Sequence, residues 1–344
     1  MTSTTSDIVG PLSTKFFTKT WLPTGPPKAA LLFIHGFVEH IQRYDHVFPL
    51  YAENGIAVFA FDQRGFGQTA FYTPKHTQGQ TTWDKQFKDI DFFSQHVRST
   101  FGPSIPLFLM GHSMGGGLVL GYPTRSPLSP TFTSSHFTGI IATSPLLRQA
   151  PSVKAPSLIL QLGSMIGKVL PNLPINAKVK PEDTCRDPTI QKQYAEDRLC
   201  KQQGTFGGVG SMLMGGEGLC REDWKRWPRD TPLLVCHGEG DKVTDHNASQ
   251  EFVENVKGLA RGEAEYKGFP GFYHEMQNEP GEDKFEFINF VIDWILRHVE
   301  SQPRSTLTDA LPTSTSTGGP PTIEVSPASP VAVNPGEEAR ESKL

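Results

Sequence analysis

Through the first 300 residues, short apolar runs alternate with stretches whose apolar positions recur every three or four residues. Ala29 to His35, Ile56 to Asp62, Leu107 to Gly111, Gly139 to Thr143 and Leu233 to His237 are nearly continuous apolar runs, the pattern of strands covered on both faces. Helical spacing runs over Tyr44 to Glu53, Trp83 to Phe101, Met114 to Gly121, Ser249 to Lys257 and Lys284 to His298; the last puts Phe287, Phe290, Val291, Trp294 and Ile295 on one face. Strand followed by helix, repeated, predicts the α/β class: a mostly parallel central sheet with flanking crossover helices.

The alternation lapses from Ala150 to Pro228, where Gly, Pro, Leu and Met dominate, and this reads as a cap inserted into the core. The core then has two halves, 15–149 and 229–300. Residues 1–14 read as a flexible N-terminus. The last 44 residues, 301–344, hold seven prolines and no aromatic residue, so they read as a disordered tail. Within the cap, Leu158 to Leu160 with Leu162, Met165, Ile166, Val169 and Leu170 form an apolar stripe. Gly204 to Gly218, with no strand before it, resembles a mobile lid edge more than a phosphate loop.

Composition narrows the function. A net charge of -4 leaves no basic field for phosphate backbones, which argues against nucleic acid as a partner. The longest apolar runs fall far short of the ~20 residues that span a bilayer. The N-terminus has neither a basic nor an apolar leader region, so secretion is not expected. Cys185, Cys200, Cys220 and Cys236 include no C-x-x-C pair, as expected of reduced thiols and not of a metal site. Ser342-Lys343-Leu344 at the end of the tail matches the tripeptide read by a peroxisomal import receptor, a match that chance supplies about once in 10⁴ chains. The expected location is the peroxisome, with the cytosol or a lipid-droplet surface as alternatives.

Gly111-His112-Ser113-Met114-Gly115 fits G-x-S-x-G, in which two glycines let a strand turn sharply into a helix and lift a serine hydroxyl clear. The bare pattern is weak, but here it follows one apolar run and precedes helical Gly117 to Leu120, the frame this elbow needs. A serine needs a base, and in this fold an acid and then a histidine follow it in the chain. Of His246, His274 and His298, His274 alone lies in a loop after a strand pattern, Ala264 to Lys267; the other two read as solvated positions. Asp241, just past the Leu233 run, is the chosen acid, with Asp245 and Glu239 as rivals. The oxyanion donors would be the backbone N–H groups of Met114 and of Phe37 in His35-Gly36-Phe37. His35 reads as a buried residue bracing that loop, and His112 as packing. No cofactor is called for.

These residues, together with His35-Gly36, Glu39-His40, Arg43-Tyr44, Phe61 to Gln68 and the Tyr273-His274 loop ending, resemble the monoacylglycerol lipases, in the serine-aminopeptidase-like branch of the α/β-hydrolases. The resemblance covers about residues 15 to 300. It implies an α/β-hydrolase fold with an inserted cap, a triad at Ser113, Asp241 and His274, and a glycerol pocket lined by Glu39, Arg43 and Tyr194. It also implies that the cap stripe meets a membrane or lipid surface. Phe37 stands where many members have alanine, and Gln277 where some have a second histidine. The expected activity is cleavage of monoacylglycerol to fatty acid and glycerol. The rivals are a lysophospholipase, a short-chain carboxylesterase or an aminopeptidase on the same fold, and a catalytically idle binding module.

Overall fold

The computed structural model describes residues 1–73, 77–125, 137–153, 166–259 and 263–300. The tail with Ser342, Lys343 and Leu344, and the Leu158 to Met165 part of the cap stripe, lie outside the described residues. Strands are β1 (Thr2–Val9), β2 (Lys15–Leu22), β3 (Ala29–Ile34), β4 (Ile56–Phe61), β5 (Leu107–His112), β6 (Gly139–Thr143), β7 (Pro174–Asn176), β8 (Gln203–Thr205), β9 (Leu233–Gly238) and β10 (Ala264–Phe269). Eight of them form one sheet in the order β1-β2-β4-β3-β5-β6-β9-β10. From β4 to β10 every neighbouring pair is parallel. Every residue of β3, β4, β5, β6 and β9 is buried, which is why these strands stand out as apolar runs.

The other edge differs from expectation. Residues 1–14, expected to be flexible, contain β1, paired antiparallel with β2 from Thr2↔Leu22 to Val9↔Lys15. The Ser6 and Thr18 hydroxyls lie 2.9 Å apart between the two strands. β1 is exposed along nearly its whole length, so it has no buried face to mark it in the sequence. Ladder hydrogen bonds use the backbone, and its threonines suit a pleat without signalling one.

Helices α1 (Phe48–Glu53), α2 (Gly67–Phe71), α3 (Trp83–Phe101), α4 (Met114–Thr124), α5 (Pro188–Glu196), α6 (Phe206–Arg221), α7 (His246–Lys257) and α8 (Asp283–Glu300) accompany the strands. One core cluster joins sheet residues to α3, α4 and α7 through Phe93, Leu118 and Phe252. The other joins them to α1 and α8 through Phe48, Phe287, Val291 and Trp294. Each such side chain, fully buried, contributes roughly 1.5–3 kcal/mol. Phe290 is only half-buried; Ile288 and Ile292 complete the inner face of α8.

Most of Gly204 to Gly218 is helical, in α6, and a short strand, β8, stands before it where none was expected. Thr205 caps the helix by accepting from the Gly208 N–H at 3.1 Å. Glycine in a helix interior costs about 1 kcal/mol against alanine, but here it permits close packing. A Cβ on Gly215 would lie 2.6 Å from the Trp83 indole, and one on Gly216 2.6 Å from the Leu146 and Leu147 carbonyl oxygens. Among the described residues no helix is long and apolar enough to cross a membrane.

Candidate active site

Parallel strands end on one side of the sheet, and loops leaving those ends converge there. Ser113 stands between β5 and α4 with φ 55° and ψ -116°, a conformation that costs an L-residue about 1–3 kcal/mol. Three backbone bonds hold it there: Ser113 N–H donates to Thr143 O at 2.9 Å, and Ser113 O accepts from Gly117 N at 3.0 Å and Leu146 N at 2.8 Å. A Cβ on Gly111 would collide with the Gly115 carbonyl, and one on Gly115 with the Ile34 carbonyl, so this turn closes only with glycine at both places. A Cβ on Gly36 would lie 3.1 Å from the Ser113 Cβ, so the Gly36-Phe37 backbone runs alongside the serine. Met114 opens α4, where the first N–H groups of a helix have no intrahelical acceptor.

Asp241 and His274 leave the ends of β9 and β10. Asp241 Oδ1 accepts from the N–H groups of Val243 at 2.7 Å and Thr244 at 3.0 Å. Asp241 Oδ2 and His274 Nδ1 are 2.7 Å apart, and both side chains are buried. Ser144 Oγ donates to the His274 carbonyl at 2.8 Å and fixes its loop. Burial alone would raise the Asp241 carboxyl, but the facing His274 and His237 hold it well below the carboxylate range. Burial alone would lower His274; the Asp241 charge outweighs it and raises the imidazole above its ordinary value. The His112 ring packs 4.8 Å from the His274 ring, and burial pushes it down to about 3, so it stays neutral there.

The rivals stand elsewhere. Asp245 caps α7 and pairs with Arg148 at 2.9 Å, and Glu239 is exposed. His246 opens α7, half-buried. His298 is buried, not solvated as expected, with its ring 3.9 Å from that of Trp294. His35 accepts from Gln63 N–H on Nε2 at 2.8 Å, which leaves Nδ1–H to donate to Gly36 O at 2.8 Å. Burial drives it down to about 3, a neutral brace under the Gly36 loop.

Glu39, Arg43 and Tyr194 meet beside this centre. Glu39 accepts from the Gly36 N–H, from Tyr44 OH at 3.0 Å and from Arg43 Nη1 at 3.1 Å. Arg43 also grips Glu275 with two bonds, 2.6 and 2.8 Å, and lies 4.7 Å over the Tyr194 ring. One buried cation thus serves two buried carboxylates. Burial would raise Glu275, but Arg43 carries it down to about 2; for Glu39 burial outweighs Arg43, and the carboxyl is raised. Glu275 was not legible beforehand, although an acid directly after His274 is a signal that spacing could have used. Nor were His237, Thr244, Ser249 and Ser144, which surround the Asp241–His274 pair.

Two of the cavities along the described residues bear on this question. The larger, about 870 Å³, lies along β1 and β2 near Leu12, Arg64 and Gln68 and contains none of these site residues. The smaller, about 320 Å³, is lined by His40, Arg43, Tyr194 and Asp197. His40, Asp197 and Cys200 bring a nitrogen, an oxygen and a sulfur within 4.8 Å of one another, a donor set that could hold a soft cation. His40 Nε2 and Asp197 Oδ2 are instead 2.8 Å from each other, and the Arg43 charge acts on both Asp197 and Cys200, which opposes a dication. The trio clasps α5 and its following turn to the loop after β3.

The family model for serine aminopeptidase S33 matches residues 25–281. A putative monoglyceride lipase of Schizosaccharomyces pombe is 32% identical over 336 residues, 93% of this chain and 85% of that protein. The monoacylglycerol lipase of Mycolicibacterium smegmatis is 28% identical over 81% of this chain and 92% of its own length. Among solved structures, a soluble variant of monoglyceride lipase from Saccharomyces cerevisiae in complex with a substrate analog superposes with a TM-score of 0.74. It is 25% identical and covers 83% of this chain and 92% of that one.

Proposed function

From the premise that the chain belongs to the serine aminopeptidase S33 family of α/β-hydrolases, we propose that it cleaves monoacylglycerol to fatty acid and glycerol. Ser113 is the nucleophile, His274 the base and Asp241 the group that orients the imidazole. His274 Nε2 takes the Ser113 hydroxyl proton as Oγ adds to the ester carbonyl. The N–H groups of Met114 and Phe37 stabilise the oxyanion, and the same proton then leaves with the glycerol oxygen. Water, activated by His274, releases the fatty acid from the acyl-enzyme. The observation that carries this reading is the buried 2.7 Å Asp241–His274 pair at two strand ends, on the sheet that also presents Ser113 in its strained turn.

Glu39, Arg43 and Tyr194 line the glycerol pocket in this reading, and the 320 Å³ cavity beside Arg43 and Tyr194 supports it. An aminopeptidase would use an acidic residue to receive the substrate's free amine. That reading has less support, because the Glu39 charge an ammonium would need is already paired with Arg43 and burial raises its carboxyl. Residues 150–228 serve as the cap between core halves 15–149 and 229–300, and through it the protein rests on lipid. Val169, 78% exposed, and Leu170, 54% exposed, support that contact, with Ile166, Leu173 and Met214 beside them in exposure. Ser342-Lys343-Leu344 directs the protein to the peroxisome through the import receptor; imaging a chain lacking these three residues tests this, and an unchanged location rejects it.

The deciding measurement for the activity is glycerol release from 2-oleoylglycerol, set beside lysophosphatidylcholine and an amino-acid anilide. Wild type should act on the glyceride, and Ser113→Ala should lose about 10⁶ in turnover. Activity confined to another substrate would reject the glyceride and keep the triad; Ser113-independent turnover would reject both.

A further inference from the structure

Asp241 Oδ2, the oxygen that faces His274, has a second imidazole on it. His237 Nε2 lies 3.0 Å from it, with the side chains of both His237 and Asp241 fully buried. The opposite nitrogen, His237 Nδ1, lies 2.8 Å from Ser249 Oγ. Burial keeps His237 lowered and hence neutral, so it carries one ring proton. A carboxylate oxygen can only accept, so that proton sits on Nε2, and Nδ1 accepts from the Ser249 hydroxyl. Thr244 Oγ1 stands between the two rings, 2.7 Å from Asp241 Oδ2, 3.2 Å from His237 Nε2 and 3.3 Å from His274 Nδ1.

We propose that His237, oriented by Ser249, is a positioning residue for the hydrolytic reaction: its N–H shares the Asp241 oxygen used by His274 and thereby sets the base strength of His274. This rests on the Ser113, Asp241 and His274 assignment above. A carboxylate oxygen divided among several donors pulls less on each. With the His237 N–H in place, Asp241 keeps His274 in the Nδ1–H form yet holds the imidazolium less tightly, so the proton taken from Ser113 is more readily returned. The fixed donor also prevents the carboxylate from rotating, because Oδ1 is pinned from the other side by Val243 and Thr244.

The charged and titratable groups around the pair come from every packed element. His246 of α7 approaches the His237 ring to 6.3 Å. Around His274 stand His112 of the β5 turn, and the charges of Glu275 and of Glu39 from the loop after β3. None of them lies within hydrogen-bond distance of Asp241 among the described contacts, so the tuning through that carboxylate belongs to His237 and Thr244.

The test uses the full chain and p-nitrophenyl butyrate, a soluble ester whose turnover does not depend on glycerol recognition. His237→Met removes the donor at similar volume, His237→Gln keeps an N–H near the Nε2 position, and Ser249→Ala removes one hydroxyl. For His237→Met, kcat should fall about 100-fold with KM within about twofold, as expected when a catalytic group is misaligned. The acid limb of kcat/KM should rise by about half a pH unit, a fraction of what one charge-assisted hydrogen bond can shift. His237→Gln should return the limb to its wild-type position and recover most of kcat, and Ser249→Ala should move the limb in the same direction by less. Equal losses for Met and Gln with an unmoved limb would overturn the proposal and leave His237 as packing. If His237→Met does not fold, Ser249→Ala decides: an unmoved limb overturns it. Ser113→Ala run in parallel separates this outcome from failure of the triad, since turnover surviving in that variant rejects the triad itself.

Discussion

Replacing Arg43 by methionine removes the single cation between two buried carboxylates while keeping the length of the side chain. The Arg43 side chain is 10% exposed, those of Glu39 and Glu275 3% and 5%, so water has little room to take over its role. Glu275 is held at about 2 instead of 4.5, which at about 1.4 kcal/mol per tenfold change amounts to roughly 3 kcal/mol. Breaking a buried ion pair costs roughly 3–5 kcal/mol by an independent route, so the two figures agree. The sign with pH follows. A depressed carboxyl stabilises the fold above its ordinary 4.5 and loses that contribution as pH falls through about 2. Without Arg43, burial lifts Glu275 above 4.5, and protonation then relieves the stranded charge. Urea unfolding of Arg43→Met against wild type should therefore show a loss of about 3 kcal/mol at pH 8 and clearly less at pH 5. A loss below about 1 kcal/mol, or one equal at both pH values, would refute the idea that Arg43 neutralises this pair.

Other outcomes follow from the same geometry. His274 is raised above 6.5 by Asp241 against burial, and only its neutral form accepts the Ser113 proton, so kcat/KM on a soluble ester should fall as pH drops through a limb above 6.5; a limb below 6.5 would contradict the pairing. Charge placed on the exposed cap residues, in Val169→Glu with Leu170→Glu, should weaken cosedimentation with phospholipid vesicles by about tenfold or more, given the area lost and the added charge. Unchanged cosedimentation would remove the cap from lipid contact.

What could be read from the chain depended on whether a position's role leaves a mark in its own neighbourhood. β3 to β6 and β9 are buried on both faces and therefore written as apolar runs, and Gly111 and Gly115 are required by a turn spanning five residues. β1 left no mark, because an edge strand with two wet faces is joined by backbone bonds that any residue makes. α6 left a misleading one: its glycines lower helix propensity, and what outweighs that cost is contact with Trp83, Leu146 and Leu147, far away in sequence. Cap contacts came from resemblance, and Arg43 turned out to be occupied by Glu275, a partner 232 residues distant.

The same division runs through the site itself. Ser113 and Asp241 follow strands announced by their apolar runs, and His274 follows the weaker pattern of half-buried β10, so their places could be inferred one at a time. Their supporting residues could not. Ser144 matters because its hydroxyl reaches His274 O across 130 residues, and His237 because β9 and the turn after it bring its ring to Asp241. A histidine four residues before the acid is visible in the sequence, but nothing there separates a ring that donates to Asp241 from one that merely fills the core. That distinction is made by the carboxylate, which only accepts and so fixes the ring proton on Nε2, while Ser249 on the first turns of α7 is left to donate to Nδ1. The reacting groups of such a site are local features of strand ends, whereas their protonation states are set by contacts that only the assembled sheet creates.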